Sequence, residues 1–138
     1  MEKEFVSYNQ ALRLKELGFD EPCFGSYVFG DELSIKYCED QFITDSCCLA
    51  PTFSQAFRWF REKYNLVIEP CVLFQRLHST EDDHFEILEF GYRIYSFDQY
   101  RGGLRDKVEW DGYDNSNEEK AELACLDKLL EIVEFKTN

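Results

Sequence analysis

The sequence TFSQAFRWFREKYN, from Thr52 to Asn65, decides much of the predicted fold because it contains the signals for both ends of a helix. Thr52 and Gln55 have the spacing of a capping box, in which the hydroxyl accepts from a backbone N–H and the amide reaches back to the cap. Apolar residues then recur every three or four positions, and Asn65 can end the helix in the left-handed conformation. The stretch therefore predicts an α-helix over residues 53–64.

The same opening occurs twice more, at Ser7 and at Ser116, each followed three residues later by Gln or Glu. These signals predict helices over about residues 8–17 and 117–135. Gly18 can end the first of them in the left-handed conformation. The last helix has a broad apolar stripe, which is typical of a helix that packs across a sheet. Its predicted members are Ala121, Ala124, Cys125, Leu126, Leu129, Leu130, Ile132 and Val133.

Two strand pairs fill the gaps between the helices. Residues 24–29 and 33–38 flank Gly30-Asp31, a two-residue hairpin turn. Residues 71–77 and 85–97 form a second apolar pair, in which Gly91 predicts a bulge or bend. Residues 98–115 contain many turn formers and predict an ordered loop with a short strand at 107–110.

The predicted order is therefore α-β-β-α-β-β-α. Strands joined by short loops pair antiparallel, so we expect an α+β fold with one antiparallel sheet of about four strands and three helices on one face. A chain of 138 residues has the size of a single domain, and we assign residues 1–138 to one.

The first two helices also begin alike. Residues 7–14 and residues 52–59 share the pattern hydroxyl, aromatic, any residue, Gln, Ala, apolar, Arg, apolar. Helix capping explains the hydroxyl and the Gln, but it does not require the aromatic residue, the Ala or the Arg. An internal duplication of an αββ unit is one interpretation of this pattern, and chance similarity between capped helices is the other.

Composition and charge exclude several classes of function. Hydrophobic residues make up 44% of the chain and aromatic residues 17%, which indicates a folded core rather than disorder. The net charge of −13 would repel phosphate backbones and anionic lipid, so we expect no direct nucleic-acid or membrane partner. The charged first residues do not resemble a signal peptide, which favours a cytoplasmic location. In that reducing compartment the cysteines should be free thiols, and Cys23, Cys71 and Cys125 should be buried.

Three blocks of the chain resemble a known group of proteins. They are YNQALRLKELGFDEPC at residues 8–23, APTFSQAFRWFREKY at 50–64 and EEKAELACL at 118–126. They are similar to small proteins encoded by phages and prophages of gut bacteria, and the resemblance covers nearly the whole chain. It implies a phage origin and an accessory role inside the host cell. The group has no established activity, so the resemblance assigns no functional residue.

No catalytic, cofactor-binding or metal-binding signature stands out in the sequence. His78 and His84 lie close together with three carboxylates, but their spacing matches no known ligand pattern and a polar hairpin loop also explains them. Residues 111–118 contain oxygen ligands without the register of an EF-hand. The adjacent thiols Cys47 and Cys48, predicted in a loop, are a weaker redox or metal candidate.

The excess negative charge is concentrated in the second half of the chain. The candidate interaction residues are Glu81, Asp82 and Asp83 in the second hairpin loop, and Asp111 and Asp114 before the last helix. They favour a non-enzymatic protein-binding module whose partner is an unidentified host or phage protein, since complementary charge accelerates association. The alternatives are a nucleic-acid-mimicking inhibitor and a small hydrolase that uses the two histidines. A homodimer formed through a strand edge is a further expectation.

Overall fold

A computed structural model describes residues 2–35, 47–78, 83–96, 107–114 and 117–137. A short 3-10 turn at Glu2–Glu4 precedes three helices and six strands. In chain order these are α1 Tyr8–Glu16, β1 Gly25–Phe29, β2 Glu32–Ile35, β3 Cys48–Ala50, α2 Phe53–Tyr64, β4 Leu66–His78, β5 Asp83–Ser96, β6 Lys107–Asp114 and α3 Glu118–Thr137.

The strands form two antiparallel sheets of three strands each. The first has the order β2-β1-β3 and the second the order β4-β5-β6. The α+β class, the three helices and their order relative to the hairpins are therefore confirmed. The predicted single sheet of about four strands is not confirmed. The sequence does not predict β3, and β6 is longer than the short strand predicted at residues 107–110. All three residues of β3 are buried, so this strand lacks the alternation that reveals half-exposed strands.

The second hairpin is longer than predicted. β4 begins at Leu66, directly after the helix, instead of at residue 71. Pro70 obscured its first half, since proline within an apolar run argues against a strand. The structure accommodates Pro70 because β4 is the edge strand of its sheet. The bulge predicted at Gly91 is also wrong: the register shifts lie between Leu73 and Phe74 and between Ile94 and Tyr95.

The αββ duplication is not confirmed either. In the first sheet the first strand, β1, is central, whereas in the second sheet the middle strand, β5, is central. The two sheets therefore differ in strand order, although each follows a helix with a similar opening.

One hydrophobic core joins both sheets and all three helices. α3 packs on β5 and β6, α2 packs on β4, and α1 lies between β3 and α3. The largest fully buried side chains come from the helices and from both long strands, and include Leu14, Phe60, Leu66, Ile94, Leu126, Leu129 and Leu130. Ala124, predicted to be in the apolar stripe of α3, is exposed instead.

The helix ends agree with the capping signals at two of three positions. Ser7 forms the complete capping box with Gln10, and Thr52 accepts from the backbone N–H of Gln55. Before α3, the Asn117 side chain accepts from the backbone N–H of Lys120 at 2.8 Å. The α3 cap is thus one residue later than predicted, and Ser116 lies outside the described residues.

The N-terminal segment closes one end of the molecule. Phe5 forms a bridge with Thr52, and the Val6 amide donates to the Pro51 carbonyl at 3.0 Å. Gly25 is required beneath this segment, because a Cβ there would lie 2.7 Å from the Phe5 ring. These contacts hold residues 3–7 against β1 and the start of α2, next to the first turns of α3.

Candidate functional site

Of the acidic residues predicted in the second hairpin loop, the structure describes Asp83, at the far end of the β4–β5 hairpin. Glu81 and Asp82 are outside the described residues, and Asp83 is the first residue of β5, opposite His78. Asp114, in β6, lies opposite Phe90 of β5. At 3.3–3.4 Å per residue, Asp83 and Phe90 are roughly 20 Å apart along β5. The structure therefore does not bring the positions of Asp83 and Asp114 together.

Asp111 and Asp114 are also separated from each other. Both lie in β6, where the register is regular from Asp111 opposite Arg93 to Asp114 opposite Phe90. At 3.3–3.4 Å per residue, the two positions are about 10 Å apart along β6.

The two histidines occupy adjacent rungs of the same hairpin. His78 is opposite Asp83 and His84 is opposite Leu77. The backbone pairing does not test a hydrolase or a metal site that uses both side chains, so these alternatives stay hypotheses. A search of the described residues finds no group of three His, Cys, Asp or Glu side chains that could hold a metal ion.

All five cysteines in the described residues are free thiols. Cys23 and Cys125 are buried as predicted, whereas Cys71 is only half-buried. Burial raises the pKa of Cys23 to about 12, and it also raises the pKa of Cys48 and Cys125. A raised pKa leaves little thiolate, the reactive form, so these three thiols have a packing role.

A groove runs along the first turns of α3, where that helix crosses the start of α2. It consists of three adjoining open cavities of about 290, 340 and 330 Å³. The first two share Phe53, and the last two share Ser54 and Glu122. We call this continuous feature the α3 groove. The first turns of α3 form one wall of the groove, and the lining residues of this wall are Glu118, Glu119, Glu122 and Leu123.

One end of the α3 groove lies against the N-terminal segment and the first sheet. Tyr27 and Phe53 are buried there, and Tyr27 donates its hydroxyl hydrogen to the Val6 carbonyl at 2.8 Å. Lys3 lies 3.9 Å from the carboxylate of Glu119 across the opening. The Lys3 side chain is largely exposed and that of Glu119 is partly exposed, so solvent screens this ion pair and it contributes little to stability.

The other end is a pocket between α2, the β4–β5 ladder and α3, which we call the Phe57–Tyr92 pocket. The two rings are 5.8 Å apart between centroids and tilted by 53°. Ile68 and Pro70, from β4, supply an apolar wall. Its polar lining residues are Ser54, Arg61, Glu118 and Glu122.

Glu122 lies at the junction of the pocket with the rest of the α3 groove. Burial raises its pKa, and the neighbouring carboxylates of Glu118, Glu119 and Glu4 raise it further. Within the described ranges, Glu122 forms no salt bridge, and no cation lowers its pKa. The site therefore holds several carboxylates around a half-buried one whose charge is not neutralised.

Tyr92 contributes an uncharged phenol beside these acids. Burial raises its pKa, and the carboxylates of Glu122 and Glu118 raise it further. The phenol consequently stays protonated at neutral pH and can donate a hydrogen bond. The pocket thus combines aromatic surface, apolar surface and negative charge, which is the combination that recognises an organic cation.

The sequence placed the excess negative charge in the second half of the chain but did not identify these residues as a site. Glu118 and Glu122 have the i, i+4 spacing that places two side chains on the same helix face. That spacing was the available signal. The aromatic partners come from α2 and β5, distant in sequence, and no local pattern links them to α3.

No helix in the described ranges is long and apolar enough to cross a membrane. Comparison of the chain with protein-family models, with curated proteins and with solved structures found no match.

Proposed function

We propose that this chain is a non-enzymatic protein-binding module that holds a positively charged segment of a partner protein in the α3 groove. The observation that carries the proposal is the half-buried, unneutralised carboxylate of Glu122, set among other acids above an aromatic floor. Burying a carboxylate without a cation is unfavourable, and a cationic partner would remove that penalty.

The surface of the groove supports a macromolecular partner. Its three cavities are open and adjoin one another, so an extended segment can pass through all of them. Aromatic residues are enriched at protein interfaces, and Tyr27, Phe53, Phe57 and Tyr92 lie along the floor or walls. The net charge of −13 would also attract a basic partner over a long range.

The resemblance to small phage and prophage proteins makes a host or phage protein in the bacterial cytoplasm the expected partner. A nucleic-acid-mimicking inhibitor is a weaker alternative. Such a mimic needs carboxylates in a row spaced like phosphates, about one charge per 1.7 Å of duplex axis. The acids of the groove instead surround a cavity that also contains aromatic rings.

The proposal can be tested with a matched pair of charge reversals on α3. Glu122→Lys places a cation in the groove, whereas Glu131→Lys makes the same change on the exposed far part of the helix. Proteins captured from host and phage-infected lysates by the wild type would be identified and purified, and their affinities measured. We expect Glu122→Lys to weaken binding at least tenfold, because a buried contact between opposite charges becomes repulsive.

The control variant Glu131→Lys should bind within about twofold of the wild type, because Glu131 lies outside the groove and its exposed ion pair with Lys128 contributes little. Equal affinity of the wild type and both variants would show that the partner binds elsewhere. Competition of a captured DNA-binding protein between this chain and duplex DNA would instead support the mimic.

A further inference from the structure

We infer that the Phe57–Tyr92 pocket receives an arginine side chain of the partner. This inference rests on the proposed function and assigns the chemistry of its central contact. The pocket volume of about 330 Å³ is at the lower end of the range for ligand sites, about 300–1,000 Å³. It is therefore suited to one long side chain rather than to a folded surface.

The pocket walls match the two parts of an arginine side chain. Ile68 and Pro70 offer apolar surface to the methylene stem, and the half-buried Phe57 ring, backed by the buried Tyr92 ring, offers aromatic surface to the guanidinium. A guanidinium is planar and more weakly hydrated than an ammonium, so it stacks on aromatic surface more readily than lysine does.

The carboxylates of Glu118 and Glu122 can accept hydrogen bonds from the N–H donors of the guanidinium. Glu118 and Glu122 lie one helical turn apart, and side chains at this spacing have Cβ atoms about 5–6 Å apart. The five N–H donors of a guanidinium are arranged in a fork that can engage two acceptors at once. Neither carboxylate forms a salt bridge within the part of the chain that the structure describes, so both are available to a guest.

The charge of Arg61 allows a test in which a substitution should strengthen binding of the guest. It lines the same pocket and is exposed, and it makes no salt bridge with Glu118 or Glu122. A cationic guest would be repelled by Arg61 and attracted by the carboxylates. Reversing the charge of Arg61 should therefore strengthen binding, a result that damage to the fold cannot produce.

The experiment is an NMR titration of the full chain with Nα-acetyl-arginine amide, and with Nα-acetyl-citrulline amide as the uncharged analogue of the same shape. We expect saturable shifts of the Phe57 and Tyr92 ring signals with the arginine probe, and binding about tenfold weaker with the citrulline probe. Glu122→Gln and Glu118→Gln should weaken arginine binding, Arg61→Glu should strengthen it, and Glu131→Gln should leave it unchanged.

Equal shifts with both probes, no saturable shift with either probe, or unchanged affinity in Arg61→Glu would overturn the inference. The proposed function has a separate readout, the same ring signals observed with the captured partner. If the partner shifts them and the arginine probe does not, the groove binds a partner by other chemistry and only the arginine assignment fails. If the probe binds and the partner leaves the rings unchanged, the proposed function fails.

Discussion

Gln10 is the buried polar side chain in the described core, and its three contacts connect the start of α1 to α3. Its carbonyl oxygen accepts from the Ser7 amide at 3.1 Å, and its amide group donates to the Leu123 carbonyl at 3.0 Å and to Asp127 at 2.9 Å. The capping function was evident from sequence. The contact with Asp127 was not, because that residue lies 117 positions away.

Arg13, one helical turn after Gln10, also connects α1 to α3. Its guanidinium donates two hydrogen bonds to Glu134, from Nε at 2.8 Å and from Nη2 at 3.0 Å. The hydrogen bond from Arg13 is the main cause of the lowered pKa of Glu134. Both side chains are about one-third exposed, so solvent screens the pair in part.

We expect Glu134→Gln to lower the free energy of unfolding by about 1 kcal/mol at pH 7. The folded pKa of Glu134 lies below its unfolded value, so the contribution is present above the ordinary pKa and is lost as pH falls through the folded pKa. Denaturant unfolding of wild type and variant should therefore differ at pH 7, and the difference should shrink as pH falls through the lowered pKa of Glu134. A difference that does not change with pH would contradict the ion pair as its origin, and Glu62→Gln, at an exposed position of α2, provides the control.

Glu122 should behave in the opposite way because its pKa is raised. The folded state then binds more protons than the unfolded chain between the two pKa values, so stability falls as pH rises from the ordinary value through the raised one. We expect Glu122→Gln to stabilise the free protein at pH 7, by less than about 1 kcal/mol because the carboxylate is partly solvated. Denaturant unfolding at pH 7 measures this gain, and a loss of stability would mean that Glu122 has a structural partner.

At the scale of elements, the helices with similar openings use the shared Gln differently. Gln10 reaches back to the cap of α1, whereas Gln55 donates to the Pro22 carbonyl at 2.9 Å. The shared Arg also differs, since Arg13 is held by α3 and Arg58 is exposed. Capping accounts for the position of both helix starts, but the tertiary contacts of the two helices are not equivalent.

Each of the three helix caps should contribute measurably to stability. Ser7→Ala and Thr52→Ala should each lower the free energy of unfolding by about 1 kcal/mol, because each leaves a backbone N–H without its side-chain acceptor. Asn117→Ala should do the same for α3, where Asn117 accepts from Lys120. Thermal and denaturant unfolding would measure these changes. Unchanged stability in all three variants would contradict the assigned caps.

The sequence predicted the helices better than the strands for a physical reason. The bounds of α2 follow from caps and periodicity within the helix itself, and they agree with the structure at both ends. By contrast, β3 is three residues long and fully buried, and β6 contains Asp111-Gly112, which favours a turn. Strands of this kind are fixed by pairing with distant partners, so their own residues carry weak signals.

At the scale of the whole molecule, negative charge is distributed over several separate surfaces. The groove acids surround a cavity beside α3, Asp83 lies at the far end of a long hairpin, and Asp111 and Asp114 lie in β6. A contact in a cavity controls mainly the dissociation rate, whereas charges outside the contact act through long-range attraction and control the association rate. These surfaces therefore make different kinetic predictions.

We expect Glu122→Lys to increase the dissociation rate of the captured partner, and the triple change of Glu81, Asp82 and Asp83 to Lys to slow association without changing dissociation. Reversal of Asp111 and Asp114 should also slow association.

Raising salt to physiological strength should reduce the difference in association rate between the wild type and these variants, because screening limits the field of exposed charges to about 8 Å. Binding kinetics of the wild type and the variants, measured across salt concentrations, provide the test. Association rates that are the same for all proteins and independent of salt would leave the hairpin and β6 charges with a role in solubility alone, while the groove would be judged separately by the dissociation rate of Glu122→Lys.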